Sequence, residues 1–251
     1  MTLDVVFTPQ GLGPAEVAGR TVFVIDALRA TTTICAALAH GARAVVPAAT
    51  SEDAVRMAQS IGTGDVVLAG ERNCLRVPGF ALGNSPLEMT CEAVGGRLVV
   101  QSTTNGTGAL LGAQGARAVF AAAAVNLTTV AQRARQALQD DGGVLVICAG
   151  REGAFGLDDA YVAGRLVVAA LGGSRARRGL GDAALAAVDL VRRYGDSFLR
   201  PFSYSAAGRA LARAGLADDV RDAARLDAYP VLPIFQDRRL TIAPVSAPVP
   251  A

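Results

Sequence analysis

The chain reads as short apolar runs alternating with longer stretches whose apolar residues recur at helical spacing. The runs predict strands at about 3–7, 21–25, 43–47, 65–69, 97–101, 117–121 and 143–148. The stretches between them predict helices at about 30–40, 51–61, 85–95, 106–114, 126–140 and 158–172. This is the alternation of βαβ units. Val-rich strands without polar alternation are those of a parallel sheet buried on both faces. Local punctuation agrees. Thr50-Ser51-Glu52-Asp53 opens a helix with a cap residue and early acids, and Gly41 stops one after Ala39-His40. Ser85-Pro86 pairs an N-cap with proline at the first helical position.

Beyond about residue 172 the rhythm changes. Helical segments follow one another at about 182–194, 205–215 and 217–225, and a proline-punctuated tail ends in APVSAPVPA, expected to be loose. The pattern predicts a single α/β domain over 1–251, layered α/β/α. A mostly parallel sheet would occupy 1–172 and a C-terminal helical cover 173–251. There is no internal repeat and no obvious linker.

Composition narrows this picture. With 251 residues, 51% of them hydrophobic, a large core can form. Aromatics are 5% and Trp is absent, so that core rests on Ala, Val and Leu. A net charge of +2 with scattered arginines argues against a dedicated nucleic-acid binder. Arg175, Arg177 and Arg178 read as a solvated loop. The four cysteines, at 35, 74, 91 and 148, form no CxxC, which makes a zinc ribbon unlikely. Cys35 and Cys148 lie in apolar runs and read as buried thiols, which fits a reducing compartment. No apolar run has the length of a membrane span, and the opening MTLDVVFTPQG is too short and acidic for a signal peptide. A soluble cytoplasmic protein is expected, working without nucleic acid or membrane. Apolar surface beyond 172 could serve a homodimer.

The chemistry sits where the strands end. In open parallel sheets, ligands bind beyond the carboxyl ends of the strands. VFVI runs into Asp26, Arg29 and Thr31 to Thr33. DVVLAG runs into Glu71 and Arg72. RLVVQ runs into Ser102, Thr103, Thr104, Asn105, Gly106 and Thr107. GVLVICAG runs into Arg151, Glu152, Asp158 and Asp159. Helix N-termini attract anions, and Arg29 and Arg72 could grip a phosphate or sulfonate in a fork. Asp26, Glu71, Asp158 and Asp159 offer the oxygen ligands that suit Mg²⁺. An anion grip with carboxylates is most economically a metal-assisted phosphoryl site.

Each piece has a plainer reading. Asp26 could cap a helix, Asp158-Asp159 could match a helix dipole, Asn105-Gly106 could be an ordinary turn, and Glu71-Arg72 a local ion pair. Their coincidence at one edge favours the functional reading. Other phosphoryl signatures fail. GxxxxGK[ST] is absent, and Leu28 stands where a haloacid-dehalogenase pattern needs a second Asp. His40-Gly41 reads as a helix end. The Cys91-to-Arg97 spacing precedes a strand instead of following one.

The blocks DALRATTTICAALAHGA (26–42), GERNCLRVPGFALGNSPLEM (70–89), STTNGTGAL (102–110) and CAGREGAFGLDDAYVAG (148–164), with a weaker echo in GLADDVRDAARLD (215–227), resemble the 2-phosphosulfolactate phosphatase (ComB) family. They run over nearly the whole chain, and NSP with TTNGT is a specific pair. The resemblance implies a layered α/β fold and a Mg²⁺-dependent phosphatase. It would convert (2R)-2-phospho-3-sulfolactate to 3-sulfolactate and phosphate, a step associated with coenzyme M biosynthesis. Two positions depart from the pattern: residues 72–75 read Arg-Asn-Cys-Leu in place of a glycine-richer turn, and Ala81 replaces an acid.

The expected mechanism assigns Asp26, Glu71 and Asp158 or Asp159 to one Mg²⁺. Arg29 neutralises phosphoryl oxygens, and Thr31, Arg72, Asn84, Ser85 and the TTNGT turn (Thr103 to Thr107) hold anions. A carboxylate outside the metal shell, such as Asp159, acts as base, and Asp26 is the first candidate for a nucleophile. The alternatives are a phosphatase for another small phosphorylated hydroxy acid and a non-catalytic anion-binding protein. The acid set speaks against the latter.

Overall fold

The structure, a computed structural model, describes residues 2–62, 65–140, 143–173 and 179–243. The Arg175-to-Arg178 loop and nearly all of the final APVSAPVPA lie outside the described residues.

Ten strands form one sheet: β1 (Leu3–Val6), β2 (Thr21–Ile25), β3 (Ala44–Pro47), β4 (Val66–Arg72), β5 (Leu75–Arg76), β6 (Leu98–Ser102), β7 (Ala118–Ala122), β8 (Val144–Cys148), β9 (Pro233–Gln236) and β10 (Arg239–Ile242). Their order is β1-β8-β2-β7-β9-β10-β3-β6-β4-β5. β1, β8, β2 and β7 pair in parallel, as do β3, β6 and β4. The sheet is thus mostly parallel, with helices on both faces, as the apolar runs predicted.

The β9–β10 hairpin was not foreseen. It stands between the two parallel blocks and pairs antiparallel with β7 through Phe120 and Ile234, and with β3 through Val45 and Leu240. Its turn is Asp237-Arg238, both at positive φ (48° and 61°), closing a two-residue loop. Such primed turns normally advertise themselves by Asn-Gly or Asp-Gly. Without glycine, and with Pro230 and Pro233 before the turn and Pro244, Pro248 and Pro250 after it, the hairpin reads as tail.

The ladder signs make the two parallel blocks antiparallel to one another, so in a flat sheet their carboxyl ends would face opposite edges. Successive strands in a sheet rotate by about 20–25°. Five steps separate β2 from β6 in the strand order, and a rotation of roughly 100–125° accumulates over them. The carboxyl ends of both blocks do line one cleft, Asp26 and Asp159 from one and Glu71 and Thr104 from the other.

The helices are α1 (Pro14–Val17), α2 (Ala30–Ala39), α3 (Ser51–Ile61), α4 (Cys91–Val94), α5 (Gly106–Gly112), α6 (Leu127–Gln139), α7 (Leu157–Ala170), α8 (Asp182–Tyr194), α9 (Leu199–Tyr204), α10 (Ala206–Arg213) and α11 (Ala217–Ala223). Strand β2 shows how the layers share it. Phe23 and Ile25 face a core containing residues of α6, α7 and α8, whereas Val22 and Val24 face one built on α2 and α5. A third, smaller cluster packs α3 on β3, β4 and β6. Cys35 and Cys148 are buried, and burial raises both thiols above their usual range.

One helix expectation needs correction, and one helix, α9, was not foreseen. Residues 85–95 do not form one helix. Ser85 caps a single 3₁₀ turn, Pro86–Glu88, and Thr90 then caps the separate short α4. The second cap residue restarts the chain after Met89, which is fully buried. The segment 205–215 is α10, capped by the Ser205 hydroxyl on the Gly208 N–H (2.9 Å), and α9 precedes it.

Candidate functional site

The cleft lies where β2, β4, β6 and β8 end. Asp26, Glu71, Asp158 and Asp159 line it together with Arg29, Asn84, Thr103, Thr104 and Asn105. Loop residues Asn73, Cys74, Arg151 and Glu152, and Ala207 and Leu211 of α10, complete the wall.

The four acids are all buried. Each backbone places its acid differently. Asp26 follows β2 and accepts the Ala30 N–H at the start of α2 (3.2 Å). Glu71 ends β4. Its Oε1 accepts the Thr104 N–H (3.0 Å) and hydroxyl (2.7 Å), and its Oε2 the Cys74 N–H (2.9 Å). Asp158 and Asp159 lie in the first turn of α7. Asp159 is held at both oxygens, by the Ala27 N–H (2.8 Å) and the Gly150 N–H (2.9 Å), so it ties the end of β8 to the end of β2.

Crowded burial raises these carboxyls. Asp26 is pushed up to about 7, first by desolvation and then by Asp158 and Glu71, against the lowering effects of the Ala30 N–H and Arg29. Asp158 is pushed up to about 6 by desolvation, opposed by its own N–H, the Ser205 hydroxyl and Arg151. Asp159 rises well above the usual carboxylate range, through desolvation and the charges of Asp158 and Asp26. A cluster of acids that burial and mutual repulsion both resist is characteristic of sites that take a cation or handle a proton.

Arg29 lines the cleft with part of its guanidinium held by the protein. One of its nitrogens is 2.5 Å from Asp219 in α11, and another donates to the Cys74 carbonyl (2.8 Å). Asp219 also accepts the Ser85 hydroxyl (2.6 Å). Asp219 was absent from the sequence-based site. It lies 190 residues from Arg29, and only the weak resemblance over 215–227 marks its segment.

Arg72 is outside the cleft wall. β4 runs through both Glu71 and Arg72, and successive strand residues face opposite ways. Arg72 therefore bonds the Ser102 hydroxyl (3.0 Å) and its own neighbour's carbonyl (2.6 Å). Of the two arginines expected to grip an anion, Arg29 lines the cleft while bonded to Asp219 and Cys74, and Arg72 lies outside it on Ser102.

Thr31 also does not line the cleft. Its hydroxyl lies 2.8 Å from the carbonyls of Asp26 and Ala122 and accepts the Asp26 N–H. Thr32 bonds the Ala27 carbonyl and Thr33 the Asn84 carbonyl, each at 2.8 Å. Helix α2 is buried on all sides, so three hydroxyls satisfy the backbone of the turns around it. Ser85 is likewise structural, capping its 3₁₀ turn and bonding Asp219.

The TTNGT turn comes to Asp26 directly. Gly106 opens α5 so close to β2 that a Cβ there would lie 2.6 Å from the Ala30 Cβ and 2.7 Å from Asp26 Oδ2. Thr103 sits 3.3 Å from the Thr107 hydroxyl, fixing the turn from inside. Asn105 accepts the Glu152 N–H (3.1 Å), joining this turn to the loop after β8. Asn84 is oriented by the Gln101 amide (2.9 Å). The Arg-Asn-Cys-Leu turn keeps a glycine-like backbone, with Asn73 and Cys74 at φ 54° and 70°.

Among the described residues no three His, Cys, Asp or Glu side chains are gathered as ready ligands around one point. Mg²⁺ often takes only one or two carboxylates and keeps several waters. The donor set fits that mode. Asp26 and Asp158 do not have both oxygens taken by well-formed hydrogen bonds, whereas Glu71 and Asp159 do.

None of the described helices is long and apolar enough to cross a membrane. A family model described as 2-phosphosulpholactate phosphatase matches residues 6–238. The chain is 38% identical over 227 residues to a probable 2-phosphosulfolactate phosphatase of Symbiobacterium thermophilum, covering 90% of this chain and 96% of the relative. It is 42% identical over 213 residues to a probable 2-phosphosulfolactate phosphatase of Deinococcus radiodurans (84% and 85% covered). It is 40% identical over 218 residues to that of Thermus thermophilus (86% and 88%). A family match over residues 6–238 and relatives 38–42% identical over most of their length agree: this chain belongs to the 2-phosphosulpholactate phosphatase family.

Proposed function

We propose that the protein is a Mg²⁺-dependent phosphoric monoester hydrolase that converts (2R)-2-phospho-3-sulfolactate to 3-sulfolactate and phosphate. The observation that carries the reading is the convergence of Asp26, Glu71, Asp158 and Asp159, all buried, in one cleft where four strands end. Family membership supplies the substrate class.

Asp26 and Asp158 would hold the ion, because their oxygens retain coordinating capacity. Bound there, Mg²⁺ would neutralise phosphoryl oxygens as a Lewis acid. Glu71 and Asp159 act on the scaffold. By clamping Thr104, Cys74, Ala27 and Gly150 they hold four chain turns at fixed distance. Asn105, just before α5, and Asn84 line the cleft and would donate to substrate oxygens. The substrate is itself a multiple anion. Acids that repel it must be balanced, which makes a cation part of the binding chemistry as well as the hydrolysis.

The test is phosphate release from 2-phospho-3-sulfolactate with and without Mg²⁺, in the wild type and in Asp26→Asn. Release should require the metal and fall at least about 100-fold in the variant. Metal-independent turnover, or a fully active variant, would remove this reading.

A further inference from the structure

Arg29, Arg72 and Arg151 stand at the ends of β2, β4 and β8, and the first two are bonded within the protein. Arg29 is buried on Asp219 and the Cys74 carbonyl, and Arg72 lies outside the cleft wall on Ser102. Arg151 differs. It lines the cleft from the loop after β8, with its side chain 35% exposed. Its protein partners are weak: a 3.6 Å approach to Glu152, whose side chain is 73% exposed, and a 3.5 Å bond to the Ala206 carbonyl at the start of α10. Exposed pairs of this kind contribute little, so the guanidinium keeps donors for a ligand.

The loop itself is built. Gly150, Glu152 and Gly153 all take positive φ (64°, 52° and 76°), and the Arg151 and Ala154 backbones bond each other at 2.9 and 2.8 Å. The Glu152 N–H is tied to Asn105. Arg151 is therefore presented over the cleft by a fixed turn, on the solvent side of the acids. It is near enough to Asp158 to favour that carboxylate's charged form.

The substrate read above carries its ester oxygen and carboxylate on one carbon, and its sulfonate one carbon further out. With the phosphoryl group at the buried acids, the outlying anion falls toward the cleft's outer wall. We infer that Arg151 is the specificity-determining residue of this site, pairing with the substrate's sulfonate through its open guanidinium donors. A forked guanidinium suits a group with three equivalent oxygens, and charge-assisted bonds of this kind discriminate strongly against a ligand lacking the group. This inference rests on the proposed reading of the cleft.

The experiment compares wild type, Arg151→Met and Arg151→Lys on two esters, 2-phospho-3-sulfolactate and 2-phospholactate, which lacks the sulfonate. Arg151→Met should raise KM for the sulfonated ester about 10–100-fold more than for 2-phospholactate, with any change in kcat shared by the two esters, and Arg151→Lys between. Equal losses on both esters, or none on either, overturn the inference. Calorimetric binding of 3-sulfolactate and lactate runs in parallel. If the wild type hydrolyses neither ester, the phosphatase reading fails, and binding decides the role of Arg151. Tighter binding of 3-sulfolactate than lactate, abolished in Arg151→Met, supports the role; no such difference overturns it.

Discussion

Asp26 shows how a single residue carries opposite demands. Its carboxyl is pushed up to about 7 against an ordinary 3.8. Between those values the folded chain binds the proton more tightly than the unfolded chain, so this group's contribution to stability falls as pH rises from about 4 to about 7. Metal-free protein should therefore melt lower at pH 7.5 than at pH 5, and added Mg²⁺ should recover the loss. Asp26→Asn should raise the metal-free Tm at pH 7.5 by about 2–4 °C or more while abolishing turnover, which calorimetry and phosphate release together would show. Gly106→Ala tests the close approach of α5. Its new methyl would collide with Ala30 and Asp26; activity should drop about 100-fold, since small displacements at the reacting centre are costly. Asp219→Ala leaves the buried Arg29 cation unpaired, at a cost of about 3–5 kcal/mol. Adding Arg29→Met should restore most of that stability but not turnover. The acid cluster was legible because each acid follows an apolar run. The arginines were not, since their bonding depends on strand parity at Arg72 and on a distant helix at Arg29.

At the scale of elements, seven strands and most helices could be read from apolar spacing and caps. Helix α2 was placed correctly, but its three threonines only made sense once the helix proved buried on every side. The 85–95 region misled because Ser85 and Thr90 are both cap residues, and the structure uses both. The β9–β10 hairpin was missed because its turn demands two positive φ angles and supplies them with Asp237 and Arg238. Helix α7 depends on close packing that sequence hardly marks. At Gly164 an added Cβ would lie 2.1 Å from the Ala187 carbonyl of α8. Gly164→Ala should destabilise the fold by about 1–3 kcal/mol, read as a lower denaturant midpoint, and shift the start of α7, where Asp158 and Asp159 lie.

For the whole molecule, one site depends on two parallel blocks whose strand directions oppose one another across the hairpin. Leu240, fully buried at the β10–β3 join, is a sensitive point in that arrangement. Leu240→Ala should cost about 2–5 kcal/mol, and hydrogen exchange should then show β3 and β7 losing protection together. The hairpin also imposes a schedule on synthesis. β3 and β7 are made long before residues 233–242, yet each lacks its hairpin-side neighbour until those residues arrive. While the chain is being translated, both parallel blocks present unpaired edges of the kind that invite association between nascent chains. Strands β9 and β10, made after the other eight, therefore act as the clasp that joins the block carrying Glu71 to the block carrying Asp26, Asp158 and Asp159.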